Sequence, residues 1–214
     1  MRVIAFAGPK GSGKDTAAKR LLARNALAGT TIFQQVNFAD PLKAACGLIF
    51  GFTQNEMYDA ILKEVPLNRW PYKTPREVLQ NVGQLFRTMY AQDIWVKAWQ
   101  RRIQTTSAAC VVVTDLRHEE ELELLKQMGA KIIYVVNDHV EALRAKGIVD
   151  NDPIWTDFSE AFSCVMRSQA DLEIPNNKDL PELYQHVDQA LSRLFGSPGE
   201  WSEVTIKAGK SQNL

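Results

Sequence analysis

A glycine-rich stretch near the start of the chain limits the possible folds more than any other feature. Residues 7–20 are AGPKGSGKDTAAKR, and they follow a short apolar run, RVIAFA, at residues 2–7. The stretch matches the phosphate-loop pattern G-x-x-x-x-G-K-[ST] from Gly8 to Lys14, but Asp15 comes next and the hydroxyl arrives only at Thr16. An apolar strand, a glycine-rich turn and a helix in this order are typical of α/β folds that bind phosphate groups.

Strand and helix patterns alternate along the rest of the chain. Apolar runs predict strands at residues 31–38, 108–115, 131–136 and 170–175, and helical spacing predicts helices at residues 14–27, 118–129 and 180–195. This alternation indicates an α/β fold in which a parallel sheet carries helices on both faces. The run at residues 2–7 is expected to be a buried strand of that sheet, because it is almost entirely apolar.

The segment between Pro41 and Ile103 has no strand pattern and contains only amphipathic helical stretches interrupted by prolines. We expect it to form a helical lobe inserted over the carboxyl edge of the sheet, where such folds bind ligands. The predicted organisation is one domain at residues 1–195, with its core at 1–40 and 104–195, the insertion at 41–103, a lid region at about 137–168 and a flexible tail at 196–214.

Composition argues against several kinds of partner and location. Lys plus Arg and Asp plus Glu number 25 each, so no net field attracts the chain to nucleic acid or to an anionic membrane. The three cysteines (Cys46, Cys110 and Cys164) lack metal-ligand spacing and leave an odd one over, which favours a reducing cytoplasm. The histidines are scattered and predict no metal cluster. We expect neither a signal peptide nor a membrane span, since no apolar run approaches the necessary length.

The glycine-rich stretch contains the groups that a polyphosphate needs. Successive backbone N–H groups around Gly11, Ser12 and Gly13 can surround a phosphate, and the amino terminus of the following helix adds partial positive charge. Lys14 would neutralise the β- and γ-phosphates of a nucleotide. The sequence therefore predicts a nucleotide-phosphate site at residues 8–16.

Asp15 is the unusual residue, because a carboxylate beside a polyphosphate is repelled unless a cation lies between them. Asp15 either holds Mg²⁺ or its water shell, or caps the amino terminus of the helix. Thr16 can reach phosphate oxygens or a magnesium-bound water. Kinases of the nucleoside monophosphate type likewise delay the hydroxyl by one residue, so the spacing favours phosphoryl transfer between small molecules over a switch GTPase.

A second candidate group lies in the sequence TDLRHEEE, after the predicted strand at residues 108–115. Asp115 would lie at the end of that strand, where an acid can hold the water shell of a magnesium ion, and Arg117 would point into the same cleft. Alternatively, Asp115 caps the next helix. Glu121, taken alone, is expected on a solvated helix face.

The lobe contains a basic helical face. Thr74 and Pro75 are expected to be the cap and the first residue of its helix. The face consists of residues spaced three or four apart, namely Arg76, Gln80, Gly83 and Arg87. Beside Tyr90 and Trp95, this face can bind a monophosphate and approach a base.

Three further features carry no functional assignment from the residues alone. Lys43 of FADPLK would sit near the first turn of a helix beside an acceptor phosphate, but by itself it is better explained as a solvated lysine. Trp99 is expected in the core. The sequence NNKD at residues 176–179 is similar to the guanine-reading N-K-x-D motif, but its aspartate comes one residue too early and we reject that assignment.

Taken together, these stretches resemble the phage-type deoxynucleoside monophosphate kinases. The matching segments run in order from about residue 3 to residue 190, and they are GPKGSGKDT, FADPLK, TPREVLQNVG, DIWVKAW, TDLRHEEE and ADLEIPNNKDLPELY. The resemblance implies a P-loop NTPase fold of the nucleoside monophosphate kinase type, with a parallel five-stranded sheet of order 2-3-1-4-5. It also implies ATP- and Mg²⁺-dependent phosphorylation of a deoxynucleoside monophosphate (dNMP), often by a homodimer, in the cytoplasm, or in the host cytoplasm if a phage encodes the chain.

The resemblance also implies roles for individual positions. Contacts to ATP are expected from the glycine-rich stretch, at Gly11, Ser12, Gly13, Lys14, Asp15 and Thr16. Contacts to the dNMP are expected at Lys10, Leu42, Lys43, Arg69, Arg76, Gly83, Arg87 and Trp95. The expected catalytic residues are Lys14, Arg87, Asp115 and Arg117, and the expected metal contacts, direct or through water, are Asp15, Thr16 and Asp115.

The chain departs from the family pattern in and near the lid. Asn137 stands where the family often has an arginine, and Asp157 of DFSE stands where it has a histidine. The inserted helix has NVGQLFR, without the usual threonine after its glycine. Either Arg144 or Arg167 is expected to supply the lid charge.

Two other functions remain open at this stage. A dephospho-coenzyme A or phosphomevalonate kinase-like enzyme can share the delayed hydroxyl of the loop. A nucleotide-dependent binding module or regulatory ATPase is a candidate of a different class, but it leaves the arginine face of the lobe unexplained. The identity of the phosphate acceptor distinguishes these possibilities.

Overall fold

The computed structural model describes residues 1–28, 31–59, 61–150, 155 and 162–196. Its sheet is entirely parallel and has the order β2-β3-β1-β4-β5, which confirms the predicted order. The strands are β1 Arg2–Ala7, β2 Phe33–Gln35, β3 Cys110–Val113, β4 Lys131–Val136 and β5 Leu172–Pro175. Helix α1, Lys14–Ala28, follows β1 after the glycine-rich turn. The fold is therefore the α/β fold expected for a phosphate-loop protein.

The middle of the sheet is buried because its strands are almost continuously apolar. All four residues of β3 are buried, and so are five of the six residues of β1. Burial on both faces of a strand removes the polar alternation of a half-exposed sheet. One buried apolar cluster joins β1, α1 and the last helix, and it includes Ile4, Phe6, Ala17, Leu21, Val187 and Leu191.

Strand β2 is shorter than the predicted run at 31–38. At its start, the Asn25 side chain of α1 accepts from the N–H groups of Ile32 and Phe33 and donates to the Phe33 carbonyl. At its end, the Thr114 N–H donates to the Asn37 side chain at 3.0 Å. Side-chain groups thus replace backbone partners at both ends, and the ladder stops.

Residues Phe38–Gln104 form a compact unit of their own, and the described residues on either side of them form the other unit. The unit 38–104, called the lobe below, contains α2 Asp40–Phe50, α3 Gln54–Tyr58, a 3₁₀ turn Leu62–Glu64, α4 Pro75–Met89 and α5 Ile94–Ile103. Its buried apolar cluster includes Leu42, Cys46, Phe52, Met57, Val78 and Trp95. The described residues of the lobe contain no strand, in agreement with the sequence pattern.

Helix α4 begins where the sequence predicts. The Thr74 hydroxyl accepts from the Glu77 N–H at 3.1 Å, the Glu77 carboxylate accepts from the Thr74 N–H at 2.9 Å, and Pro75 is the first helical residue. This capping box satisfies two backbone donors at the helix start. Trp99, on α5, is fully buried, as expected.

The other helices whose bounds the structure describes are α6 Glu119–Gln127, α7 Asp138–Val149, α8 Ser163–Ser168 and α9 Leu180–Phe195. The lid element around Asp157 and the tail beyond residue 196 lie outside the described residues. No helix in the described ranges combines the length and the apolar character needed to cross a bilayer.

Candidate functional site

The turn between β1 and α1, residues Gly8–Thr16, is called the phosphate loop below. Gly8 and Gly13 have φ values of 144° and 98°, in a region that side-chain-bearing residues rarely adopt. A Cβ at Gly8 would lie 2.6 Å from the Ser12 hydroxyl oxygen and 2.8 Å from the Val135 carbonyl oxygen. The loop therefore closes too tightly for a side chain at Gly8, as a loop that surrounds a phosphate must.

Lys14 is the first residue of α1 and is only 6% exposed. Its ammonium donates to the Pro9 carbonyl at 3.2 Å, so the side chain lies back along the loop that precedes it. A buried cation at the positive end of a helix dipole is unfavourable unless an anion is close by. This arrangement favours binding of an anion such as a polyphosphate.

Besides Lys14, three loop residues with side chains are expected to contact ATP or metal, namely Ser12, Asp15 and Thr16. Asp15 is exposed in the first turn of α1, where its charge is favourable to the helix dipole, and Thr16 is half-buried. The Ser12 hydroxyl is buried and has no hydrogen-bond partner within the described part of the chain. Buried hydroxyls without a partner are uncommon in proteins. Lys10 is half-buried in the same loop, and its expected contact to the acceptor stays a prediction.

Asp115 and Arg117 follow β3, which pairs in parallel with β1. The register pairs Ala5 with Val113, so Asp115 comes level with the end of β1. Both side chains are half-buried. The cap of α6 is His118, so the alternative in which Asp115 caps that helix is wrong. Loops after adjacent parallel strands leave a sheet at the same edge, and this is the edge where such folds bind ligands.

Glu121 corrects the expectation of a solvated helix face. It is only 2% exposed, and its carboxylate accepts from the backbone N–H groups of Arg117 at 2.7 Å and His118 at 3.1 Å. The three consecutive glutamates concealed this role, but the third falls at the N3 position of a capping box. Glu121 therefore fixes the backbone that carries Arg117.

Asn176 is a second residue whose role was not predicted from the sequence. Its side chain donates to the Ser12 carbonyl at 2.8 Å, and its own carbonyl accepts from the Asn137 side chain at 2.6 Å. The available signal was its position directly after β5, at the carboxyl edge of the sheet. Asp179 of the same NNKD sequence caps α9 by accepting from the Glu182 N–H.

The two lid arginines have different surroundings. Arg167 makes a fork of two hydrogen bonds to Glu173, at 2.9 and 2.8 Å, which raises the pKa of the guanidinium and lowers the pKa of the carboxyl. Arg144 is buried on α7, with Glu141 at 3.6 Å. Val140, one turn before Arg144, lies 3.8 Å from where a Cβ on Gly11 would be. Arg144 thus shares a helix face with a neighbour of the phosphate loop.

A buried tyrosine connects the helices that carry these arginines. The Tyr134 hydroxyl donates to Glu141 of α7 at 3.0 Å and accepts from Ser163 of α8 at 2.8 Å. Burial raises the pKa of Tyr134 to about 12, so the hydroxyl stays protonated and keeps donating at neutral pH. The contact joins helices on both sides of the lid segment.

Four of the expected acceptor residues lie together in the lobe. Helix α4 lies close to α2 at Gly83, because a Cβ at this position would be 3.1 Å from the Leu42 side chain. The Trp95 indole N–H donates to the Gly83 carbonyl at 3.1 Å, and Trp95 is 7% exposed. Arg87 is buried and donates to the Gln92 carbonyl at 2.8 Å. These contacts fix the surface around Gly83 in a defined shape.

The other basic residues of the lobe have acidic or aromatic partners. Arg69 forks onto Glu56 at 2.8 Å for both nitrogens, and these bonds hold the pKa of Glu56 down to about 2. The Arg76 side chain pairs with Glu64 at 2.5 Å. Lys43 is not simply solvated, because its ammonium lies 3.7 Å from the centre of the Tyr58 ring. An incoming phosphate would have to compete with these contacts.

The described residues contain no group of three or more His, Cys, Asp or Glu side chains that could hold a metal ion. Mg²⁺ in phosphoryl-transfer proteins is usually held by one or two carboxylates together with substrate phosphates and water. The oxygen atoms of Asp15, Thr16 and Asp115 therefore fit Mg²⁺ that arrives with a nucleotide.

Comparison with known proteins gives relatives of the chain. Residues 52–187 match the family model described as deoxynucleotide monophosphate kinase. A protein of Acanthamoeba polyphaga mimivirus, provisionally named a deoxynucleotide monophosphate kinase, is 30% identical over 202 residues, which cover 87% of this chain and 94% of the relative. The family match begins after the phosphate loop, so the loop geometry and the match are separate observations.

Two solved structures are also similar to the chain. A shikimate kinase from Acinetobacter baumannii in complex with shikimate has a TM-score of 0.49 at 17% identity, and the match covers 91% of this chain and 93% of that one. A dephospho-CoA kinase from Campylobacter jejuni has a TM-score of 0.48 at 10% identity, with 91% and 98% covered.

The role of Glu121 leads to a stability prediction. Glu121→Ala should lower the free energy of unfolding by about 1–3 kcal/mol, because two backbone N–H groups lose their acceptor. Glu121→Gln keeps an acceptor oxygen, so its free energy of unfolding should fall by less. The measurement is urea unfolding followed by circular dichroism. The control is Glu123→Ala, an exposed glutamate of the same helix, which should change stability by no more than about 0.5 kcal/mol. Equal stability of the Glu121→Ala and Glu123→Ala proteins would contradict the assignment.

Proposed function

The chain belongs to the deoxynucleotide monophosphate kinase family and is a phosphotransferase, and from this premise we propose that it transfers the γ-phosphate of ATP, with Mg²⁺, to a dNMP. The products are ADP and a deoxynucleoside diphosphate, and the role is supply of DNA precursors. The observation that carries the proposal is the buried Lys14 ammonium inside a glycine-rich loop at the start of α1. An intact loop of this kind is expected in a protein that binds a nucleoside triphosphate.

On the donor side, the backbone N–H groups of Gly11, Ser12 and Gly13 surround the phosphates. Lys14 places its charge against the β- and γ-phosphates, where it opposes the negative charge that spreads during transfer. Asp15, Thr16 and Asp115 would hold Mg²⁺ directly or through water, and the ion would supply positive charge that offsets part of the phosphate charge. This role would explain a carboxylate at Asp15 in a loop that otherwise attracts anions.

On the acceptor side, Arg76 and Arg87 bind the monophosphate, with Lys43 and Arg69 as further cations. Arginine suits this task because its planar guanidinium can donate two parallel hydrogen bonds to phosphate oxygens. Leu42, Gly83 and Trp95 form the wall beside the sugar, supported by their mutual contacts within the lobe. An apolar wall offers no partner to a 2′-hydroxyl, so it favours a deoxyribose over a ribose.

Phosphoryl transfer requires little covalent chemistry from the protein. The two nucleotides must be held in line and the developing charge must be neutralised. We assign that charge neutralisation to Lys14 and Arg117, and to Arg144 from α7. Arg144 is preferred to Arg167 because it lies one turn beyond Val140, the neighbour of Gly11, whereas Arg167 is engaged with Glu173.

The first prediction concerns Lys14. Lys14→Ala should reduce turnover by at least ~10²-fold, the typical cost of removing one preorganised electrostatic contact to the transition state. Circular dichroism should show that the fold is kept. The matched control is Lys19→Ala, an exposed lysine of the same helix, which should retain normal turnover. A folded Lys14→Ala protein with near-normal turnover would remove this lysine from the mechanism.

The arginines should separate binding from catalysis. Arg76→Ala and Arg87→Ala should raise the KM for the dNMP far more than the KM for ATP, whereas Arg117→Ala should lower kcat more than it weakens binding. The control is Glu64→Gln, which removes the ion pair but leaves the positive charge of Arg76 in place. This substitution should not raise the KM for the dNMP. If Arg76 only stabilises the lobe, Arg76→Ala and Glu64→Gln should give the same kinetic effect, which would contradict the acceptor role.

The acceptor itself is tested by a matrix of four deoxy and four ribo monophosphates with ATP and Mg²⁺, measured by coupled release of ADP. At least two dNMPs should be substrates, because an apolar and aromatic wall accepts more than one base. Each should be favoured over its ribose counterpart by about tenfold or more, which corresponds to about 1.4 kcal/mol. Equal rates with AMP and dAMP, and none with the others, would indicate an adenylate kinase. ATP consumption that requires dephospho-coenzyme A or phosphomevalonate instead would favour the other kinases considered above.

A further inference from the structure

Asn176 is the described side chain that joins the loop after β5 to the phosphate loop. Its amide nitrogen lies 2.8 Å from the carbonyl oxygen of Ser12, although the two residues are 164 positions apart. A carbonyl oxygen can only accept, so the amide nitrogen of Asn176 must be the group that faces it. This is a hydrogen bond to the backbone of the very turn that is expected to hold phosphate.

The bond determines which way one peptide unit faces. The Ser12 carbonyl and the Gly13 N–H belong to the same planar trans peptide, so they point in opposite directions. Because the carbonyl points to Asn176, the Gly13 N–H points away from the loop that follows β5. If that peptide turned over, a carbonyl oxygen would take the place of the N–H and would repel a bound phosphate.

Asn176 also explains why a residue larger than glycine would not fit at position 13. A Cβ at Gly13 would overlap the amide nitrogen of Asn176 and would lie 3.9 Å from the Leu183 side chain of α9. One side of Gly13 is therefore filled by Asn176 and α9. The other side, which carries the N–H, is left for the group around which the loop closes.

The position of Asn176 is itself fixed by further contacts. Its N–H donates to the Val136 carbonyl at 2.7 Å, at the end of β4. Its carbonyl accepts from the Asn137 side chain, whose oxygen accepts from the Val140 N–H at 3.0 Å and so caps α7. The backbone of Asn176 is thus held by bonds from the end of β4 and from the residue that caps α7, which places its side chain beside Ser12.

We propose that Asn176 is a positioning residue for the donor nucleotide: by holding the Ser12 carbonyl, it keeps the Gly13 N–H directed at the phosphates of ATP. The inference rests on the proposed function, because it takes ATP to be the ligand of the phosphate loop. Asn176 does not touch the nucleotide in this account. It acts through the orientation of one peptide unit.

The test compares two substitutions that differ in shape and in hydrogen bonding. Asn176→Asp keeps the volume but has no donor and directs a charge at the Ser12 carbonyl, so it should raise the KM for ATP by about tenfold or more. Asn176→Ala leaves space in which water can replace the donor, and its KM for ATP should rise by a smaller factor. The KM for the dNMP should stay unchanged in both.

A second readout isolates the phosphates. Tripolyphosphate binds through phosphate groups alone, so its inhibition should weaken by the same factor by which the KM for ATP rises. Inhibition by adenosine should not change. The control is Asn177→Ala, because the neighbouring asparagine pairs with Asp138 and has no hydrogen bond to the phosphate loop among the described contacts. Its kinetic constants should equal those of the unmodified protein.

Two results would overturn the proposal. If Asn176 only fills space, Asn176→Asp should behave as the unmodified protein and Asn176→Ala should be the defective one. If it only stabilises the fold, the KM values for ATP and for the dNMP should change together. These failures differ from failure of the proposed function, in which the unmodified protein itself would not transfer phosphate from ATP.

Discussion

The interaction on which the structure depends is between a buried lysine ammonium and the backbone turn that surrounds it. Lys14 lies at the positive end of α1, in a loop that leaves no room for a side chain at Gly8 or Gly13, and its ammonium contacts the loop carbonyl of Pro9. Partial positive charge from the helix and full charge from the lysine meet at one place, so a bound anion is stabilised there. The parallel sheet makes this arrangement possible. Strand β1 is the central strand, so the phosphate loop leaves the carboxyl edge of the sheet next to the loop that follows β3.

The cations assigned to phosphate binding in the lobe are compensated by other groups in the structure. Glu56 holds Arg69, Glu64 holds Arg76, and the Tyr58 ring lies under Lys43. Ion pairs at the surface contribute little to stability, whereas a guanidinium fork on a phosphate is a stronger contact. Exchanging an acid for a phosphate is therefore energetically easy. The balanced net charge of the chain is consistent with charges that are local rather than spread over one surface.

Local patterns in the sequence predicted the strands and the capped start of α4, because each depends on a few neighbouring residues. The family resemblance supplied the sheet order, and the sheet confirmed it. What could not be predicted depends on residues far apart in the chain. Strand β2 is short because Asn25 and Asn37 take the places of backbone partners. Asn176 is important because its loop returns to Ser12, 164 positions away. Glu121 is the exception, because its contact is local and was concealed by three consecutive glutamates. Roles of the acceptor residues remain predictions.

The most direct test of this account follows the phosphate itself. ATP labelled in its γ-phosphate is incubated with the protein, Mg²⁺ and a dNMP, and the products are separated. The account predicts that the label appears in the deoxynucleoside diphosphate in the same amount as the ADP formed. Label recovered only as inorganic phosphate, with the dNMP unchanged, would contradict it and would indicate a nucleotide-dependent ATPase.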